Sequence, residues 1–195
     1  MTIQTRRERE RAERERLIVT AARELAEAEG WDAVTTRRLA DEIEYSQPVL
    51  YSHFKGKGAI MAAVAVQGCA DLADELRAAR TATGSTREAL AAVGAAYTAF
   101  ARRRPALYDV IFTLAVDLPF ATPEAPAALQ AAFGELVQAV RPIAAEGEDM
   151  GALTETYWAG LHGLVTLMRS GRLPEEAHER RLALFIDHFV PQGTD

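Results

Sequence analysis

Four histidines, one cysteine and scattered carboxylates are the residues of this chain with the chemistry to catalyse or to hold a metal. His53, His162, His178 and His188 show no HExxH or comparable ligand spacing, and a lone Cys69 cannot build a zinc site. No glycine-rich phosphate cradle follows a strand-like run, no G-x-S-x-G motif occurs, and no base is paired with Cys69. Asp71, Asp74 and Glu75 read as a solvated charged face. The expectation is therefore no enzyme, no metal and no cofactor. Hydrogen-bonding chemistry remains, and it concentrates between Val34 and Lys57, in VTTRRLADEIEYSQPVLYSHFKGK.

That stretch reads as two short helices and a tight turn. Thr35 or Thr36 can cap the first, and Leu39, Ala40 and Ile43 give it an apolar face at helical spacing. Glu44 and Tyr45 break the run. Ser46 is placed to cap the second helix, with Pro48 in its first turn, where a missing N–H is harmless. Val49, Leu50 and Phe54 then face inward and Gln47, Pro48, Tyr51, Ser52 and His53 mostly outward. Two helices of this size joined in this way match a helix-turn-helix, whose second helix enters the DNA major groove.

The run Tyr51-Ser52-His53-Phe54-Lys55-Gly56-Lys57, following L-A in the first helix and Y-S at the turn, resembles the TetR family of bacterial transcriptional regulators. In that family the turn usually carries Gly, because the position is left-handed; here it is Glu44. The resemblance implies that Gln47, Pro48, Val49 and Ser52 face bases, where Gln can pair with adenine and an apolar side chain can touch a thymine methyl. It also implies phosphate contacts from Thr36, Tyr51, His53 and Lys57, with packing and capping as the alternative for Tyr51 and His53.

The net charge of −6 speaks against nucleic acid until its distribution is considered. Residues 1–57 hold eleven Lys+Arg and eleven Asp+Glu, whereas residues 58–195 hold eleven against seventeen, so the excess acidity lies wholly in the later part. The N-terminal part can still present a basic face. Residues 5–29 read as one helix, first Arg/Glu-alternating and self-paired, then amphipathic from Leu17 to Gly30. Its arginines are either a solvated face or an arm touching DNA. No eighteen-residue apolar run and no apolar signal segment occur, and one cysteine excludes an internal disulfide, so a cytoplasmic protein without membrane contact is expected.

Beyond Gly58 the chain reads as helices throughout: 58–81, a capping box at Ser85 and Glu88 opening a helix to Arg103, a short segment after Pro105, a helix to Glu146 kinked at Pro142, and a closing pair over 152–170 and 174–190. The expected class is all-α, with a three-helix helix-turn-helix domain over 1–57 and a helical effector-binding and dimerisation domain over 58–195. The closing pair carries broad apolar stripes, Leu161, Leu164, Val165 and Met168 against Leu182, Phe185, Ile186 and Phe189, wider than one partner helix covers. A homodimer seam is expected there, as TetR-like proteins use. Gly160 and Gly163 would let backbones approach closely. Trp158 to Gly163 also resembles the W-x-x-x-H-G signature of one subgroup.

Tyr97, Phe100, Tyr108, Phe112, Phe120, Phe133 and Trp158, with His162 as a polar tip, are either plain core or the lining of an effector pocket. The resemblance favours the pocket, and the absence of clustered Lys or Arg among them favours a neutral or apolar effector. The resemblance thus implies a one-component repressor that binds a palindromic double-stranded DNA operator as a homodimer and is released by a small molecule. The alternatives are a transcriptional activator, or a helical small-molecule-binding protein or enzyme whose hairpin only mimics a DNA reader.

Overall fold

In the computed structural model, residues 3–120 and 122–190 are described, and among them every regular element is helical. Nine α-helices follow in order among these residues: α1 Ile3–Glu29, α2 Thr36–Glu42, α3 Gln47–His53, α4 Lys57–Thr81, α5 Thr86–Arg103, α6 Pro105–Phe112, α7 Ala127–Val140, α8 Met150–Arg169 and α9 His178–Phe189. They form two compact units. Of the described residues, the first holds those up to Gly68 together with those between Arg104 and Ala125; the second holds Cys69–Arg103 and those from Pro126 to Val190. Helix α4 runs through both, and the division falls within it rather than at its first turn.

In the first unit, α1 turns Ile18, Ala22 and Leu25 inward at helical spacing, and Val34, Leu39, Leu50, Ile60 and Val64 are buried with them. A 3-10 turn, Trp31–Ala33, leads from α1 towards α2, with Trp31 itself 9% exposed. Helix α6 belongs to this unit and buries Leu107, Tyr108 and Ile111.

The second unit buries Leu90, Val93, Tyr97 and Phe100 of α5, Leu136 of α7, Tyr157, Leu161 and Val165 of α8, and Leu182 and Ile186 of α9. Gly94 permits a close approach: a Cβ there would lie 2.8 Å from Leu182 Cδ1 and 3.0 Å from Leu161 Cδ2. Helix α5 therefore covers the stripe that α8 and α9 present. On α7, the buried Glu135 carboxylate accepts from Arg77 Nε at 2.8 Å and Arg80 Nη2 at 2.7 Å, both on α4. Burial works to raise its pKa, but the bonds from Arg80 and Arg77 outweigh that and hold it below the usual carboxylate range.

Three local expectations need correcting. Pro142 does not kink a continuing helix: α7 ends at Val140, and Arg141–Ile143 form a 3-10 turn. Ser46 stands at the N-cap of α3, but its side chain makes no cap hydrogen bond. A capping side chain needs the N–H of the second or third helical residue; Pro48 has none, and Val49 N donates to the Ser46 carbonyl at 3.0 Å instead. The capping box is shifted: Glu88 N donates to Ser85 Oγ at 3.3 Å, while the Glu88 carboxylate accepts from Gly84 N at 3.2 Å, one residue early.

Candidate nucleic-acid interface

The hairpin that presents α3 is held by its own backbone. Thr35 caps α2, accepting from Arg38 N at 3.2 Å. At the other end Tyr45 N donates to Ala40 O at 2.9 Å and Glu44 N to Asp41 O at 3.4 Å, the paired bonds of a Schellman stop. Glu44 adopts φ 56°, so a side-chain-bearing residue fills the left-handed position that Gly usually takes. Arg38 ties α2 to α1 through a two-pronged pair with Glu29, one branch at 2.7 Å. That hydrogen bond holds the Glu29 carboxyl below its ordinary pKa.

On α3, Gln47, Pro48, Tyr51 and Ser52 are exposed, Tyr51 by 54%, and Val49 is half-buried. Ser52 Oγ donates to Val49 O at 2.6 Å, which fixes the hydroxyl and leaves its lone pairs outward-capable as acceptors. Thr36 Oγ1 and Tyr51 OH lie 3.4 Å apart, so α2 and α3 share a hydroxyl cluster. His53 was expected outward and is not: its side chain is 5% exposed, with Nδ1 3.3 Å from Glu15 Oε1 of α1. Glu15 also accepts from Arg11 Nε at 2.8 Å. Lys57 is half-buried, its Nζ donating to the Trp31 carbonyl. Phe54, expected in the core, is only half-buried. Two cations passed over in the sequence, Arg37 and Lys55, are exposed, and no carboxylate among the described residues pairs with either. The signal for Arg37 is its place beside Thr36 in the first turn of α2, one residue before the arginine that Glu29 captures.

The aromatic residues proposed to line a pocket divide between the units. Tyr108 and Phe112 lie in the first, with ring centroids 4.9 Å apart. Tyr97, Phe100, Phe133, Trp158 and His162 lie in the second, where Tyr97 and Phe100 are fully buried and the other three half-buried. Phe120 is 43% exposed and is no core residue. Three of the second group form a hydrogen-bonded chain. Trp158 Nε1 donates to Tyr97 OH at 3.0 Å, and the same phenol oxygen lies 3.2 Å from His162 Nδ1. The indole N–H can only donate, whereas the phenol and the imidazole can each donate or accept. Burial, and secondarily the Arg169 charge, push the His162 pKa below 6.5. A cleft of about 150 Å³ in this unit is lined by Thr98, Arg102, Val165, Met168, Arg169 and Glu175, none of the aromatic set.

The residues assigned to a dimer seam also need correction. Leu161, Val165, Leu182 and Ile186 are at most 6% exposed within the single chain and have no surface to offer a partner. Gly160 is likewise used internally, since a Cβ there would lie 2.5 Å from the Phe185 ring. Phe185 stacks on Tyr157 at 5.8 Å. Leu164, Met168, Phe185 and Phe189 remain half-buried; Leu184, which the sequence groups with the apolar stripe of the last helix, is 50% exposed, and Leu167 is 40% exposed. Gly163 has nothing within 4 Å of its Cβ position.

Among the described residues no group of three or more His, Cys, Asp or Glu could hold a metal ion, and no helix is long and apolar enough to cross a membrane. A family model for bacterial regulatory proteins of the tetR family matches residues 18–64, and one for a tetracyclin repressor-like C-terminal domain matches residues 90–189. An HTH-type transcriptional regulator of Mycobacterium tuberculosis, Rv0681, is 28% identical over 155 residues, 79% of this chain and 69% of the relative. The class D tetracycline repressor of Escherichia coli is 44% identical over 50 residues, 26% of this chain and 23% of that protein. Among solved structures, the TetR family regulator PfmR of Thermus thermophilus superposes with a TM-score of 0.61 at 18% identity, covering 90% or more of both chains (93% and 97%). The relatives are regulators rather than enzymes, which removes the reading of the hairpin as a mimic.

Proposed function

Because the chain belongs to the TetR family of transcriptional regulators, we propose that it is a one-component repressor acting as a homodimer on a palindromic operator. Residues 1–57 read DNA, and residues 58–195 bind the effector and dimerise, in the cytoplasm. The observation that carries the reading is the exposed set Gln47, Pro48, Tyr51 and Ser52 on a helix held by a capped, Schellman-stopped turn. Gln47 and Ser52 supply hydrogen bonds to base edges, with Pro48 and the half-buried Val49 as apolar contacts. Thr36, Tyr51, Arg37 and Lys55 hold phosphates. His53 and Lys57 act mainly from behind, fixing α3 against α1 and Trp31.

Two copies would place their recognition helices in successive major grooves, roughly 34–36 Å apart. The seam would use the outer face of α8 and α9. There Ala152, Thr156, Ala159, Gly163 and Thr166 alternate at spacings of three and four and, Gly163 apart, are exposed, with Leu164, Leu167 and Leu184 beside them. The effector is small and neutral or apolar: the Tyr97–Trp158–His162 group offers uncharged polar tips among aromatics. Release from DNA is a population shift, and moving occupancy from nearly full to nearly empty requires about 10⁴-fold preference between states, or roughly 5.5 kcal/mol.

Fluorescence anisotropy of the purified protein on its own upstream intergenic DNA, beside a scrambled duplex and at two salt concentrations, tests this reading. A nanomolar complex that exceeds the scramble and is lost in Gln47→Ala/Tyr51→Ala supports it. Equal, weak and strongly salt-dependent binding to both duplexes, followed by failure to enrich any sequence from genomic fragments, would sink it.

A further inference from the structure

Helix α6 lies in the same compact unit as the DNA-reading hairpin, although it follows α5 in the chain through the single residue Arg104. Its first turn begins with Pro105, which has no N–H, and the side chain of Arg104 makes no cap bond. The cap comes from 79 residues upstream. Ala106 N donates to Glu27 Oε2 at 3.1 Å and Leu107 N to Glu27 Oε1 at 2.9 Å. A carboxylate bridging two free amides at a helix start is a charge-assisted cap aligned with the helix dipole. The same turn is gripped a second time: Trp31 Nε1 donates to the Ala106 carbonyl at 2.8 Å. From the other side α4 closes on α6 at Gly68, where a Cβ would lie 2.6 Å from Leu107 Cδ1 and 2.9 Å from Ile111 Cδ1.

Trp31 has a second bond, and it leads to the reader. Its carbonyl accepts from Lys57 Nζ, at the start of α4 and four residues after the end of α3. A continuous path therefore runs from the first turn of α6 through the indole and carbonyl of Trp31 to Lys57. We propose that Glu27 and Trp31 are positioning residues that latch the first turn of α6 and thereby couple the state of α6 to the set of α3. The proposal rests on the DNA-binding reading above. Any event that pulls on the end of α5 reaches Pro105 through Arg104, and the latch passes it to Lys57.

Coupling is reciprocal, so DNA held by α3 must tighten the latch. The test is amide hydrogen exchange of the full chain, free and bound to a duplex enriched by selection from a random pool, with a scrambled duplex as control. In the wild-type protein the enriched duplex is expected to slow exchange in 105–112 by about tenfold, within the range usual for coupled sites. In Glu27→Gln, and independently in Trp31→Phe, the bound-to-free ratio in 105–112 falls below about twofold while α3 is still protected. A purely structural role would raise exchange in both states and leave the ratio intact, as expected for Glu135→Gln in the other unit. An unchanged ratio in either variant, or no slowing in the wild type, would overturn the latch. If either variant fails to fold, the other and the wild-type measurement still decide. Failure to enrich any duplex would overturn the DNA-binding reading and the latch with it; a specific duplex without the α6 response overturns the latch alone.

Discussion

Replacing Glu44 by glycine should make the first unit more stable, against the usual direction of a point substitution. Glu44 sits at φ 56° between two Schellman bonds, and its conformation is imposed by the turn rather than by a preference of its own. A side-chain-bearing residue in this region costs roughly 1–2 kcal/mol, because Cβ crowds the following carbonyl. Glycine removes that term but loses roughly 0.5–1 kcal/mol of additional chain entropy on folding. The carboxylate also stands just past the C-terminus of α2, where the dipole is negative, an unfavourable contribution of about 0.3 kcal/mol at an exposed site. The net gain for Glu44→Gly is about 1 kcal/mol, or roughly 4–8 °C on the melting of a unit of this size. Glu44→Asn should recover part of it, since Asn tolerates the left-handed region. Glu44→Ala relieves the charge but keeps the strain, so it should stay within about 0.3 kcal/mol of the wild type. Urea melts followed by tryptophan fluorescence, with exchange of the Tyr45 and Leu50 amides as a local readout, measure all three. Stabilisation by Ala equal to that by Gly would refute the backbone argument and assign the effect to charge.

Further outcomes follow from particular positions in the chain. Glu135→Ala takes the carboxylate from Arg80 and leaves Arg77 with Asp74 alone; since both guanidiniums are partly solvated, the loss in a urea melt should be about 1–2 kcal/mol, below the 3–5 of a fully buried pair. Glu135 also has a lowered folded pKa, so its contribution is complete above the unfolded carboxylate value near 4.5 and disappears as pH falls through the folded one; wild type and Glu135→Gln should converge in stability in acid. His162 and His178 both titrate below 6.5 in the fold, through burial first and nearby arginines second, so imidazole NMR midpoints should lie below that value. Between those midpoints and 6.5 the unfolded chain binds more protons, so stability should rise with pH across that window. Gly160→Ala must displace the Phe185 ring and should destabilise by about 1–3 kcal/mol. A Cβ at Gly163 has nothing within 4 Å in the chain, so Gly163→Ala should leave the melt nearly unchanged, and association in sedimentation should weaken if α8 forms the seam.

The parts of the fold legible in the sequence are those written in local chemistry. Thr35, the break at Glu44 and Tyr45, and Pro48 in the first turn of α3 each act within a few residues, and each stands where spacing predicts. The left-handed Glu44 was legible for the same reason: a Schellman stop needs that conformation whatever side chain fills it. Ser46 shows the limit of such rules, since the cap position was right and the cap bond absent once Pro48 had removed one of its donors.

What could not be read depends on partners far away in the chain. An outward His53 follows from helix periodicity alone; its inward side chain follows from Glu15, 38 positions earlier. Glu27 looks like one more solvated carboxylate until α6 arrives 79 residues later with two bare amides. The α8–α9 stripes are too broad for one partner helix, and breadth alone assigns the excess to a second copy, whereas Leu161, Val165, Leu182 and Ile186 are covered within the chain. Part of that cover is α5, and Gly94, a glycine in mid-helix where propensity disfavours it, was the available sign that side chains press close there. With Leu161, Val165, Leu182 and Ile186 consumed internally, a seam between copies on α8 and α9 would rest on small residues, a few leucines and what stays exposed of Met168, Phe185 and Phe189. Such a surface would gain less from area than from close backbone approach, so its stability would depend on shape, and an added side chain at Gly163 is expected to weaken association of the copies.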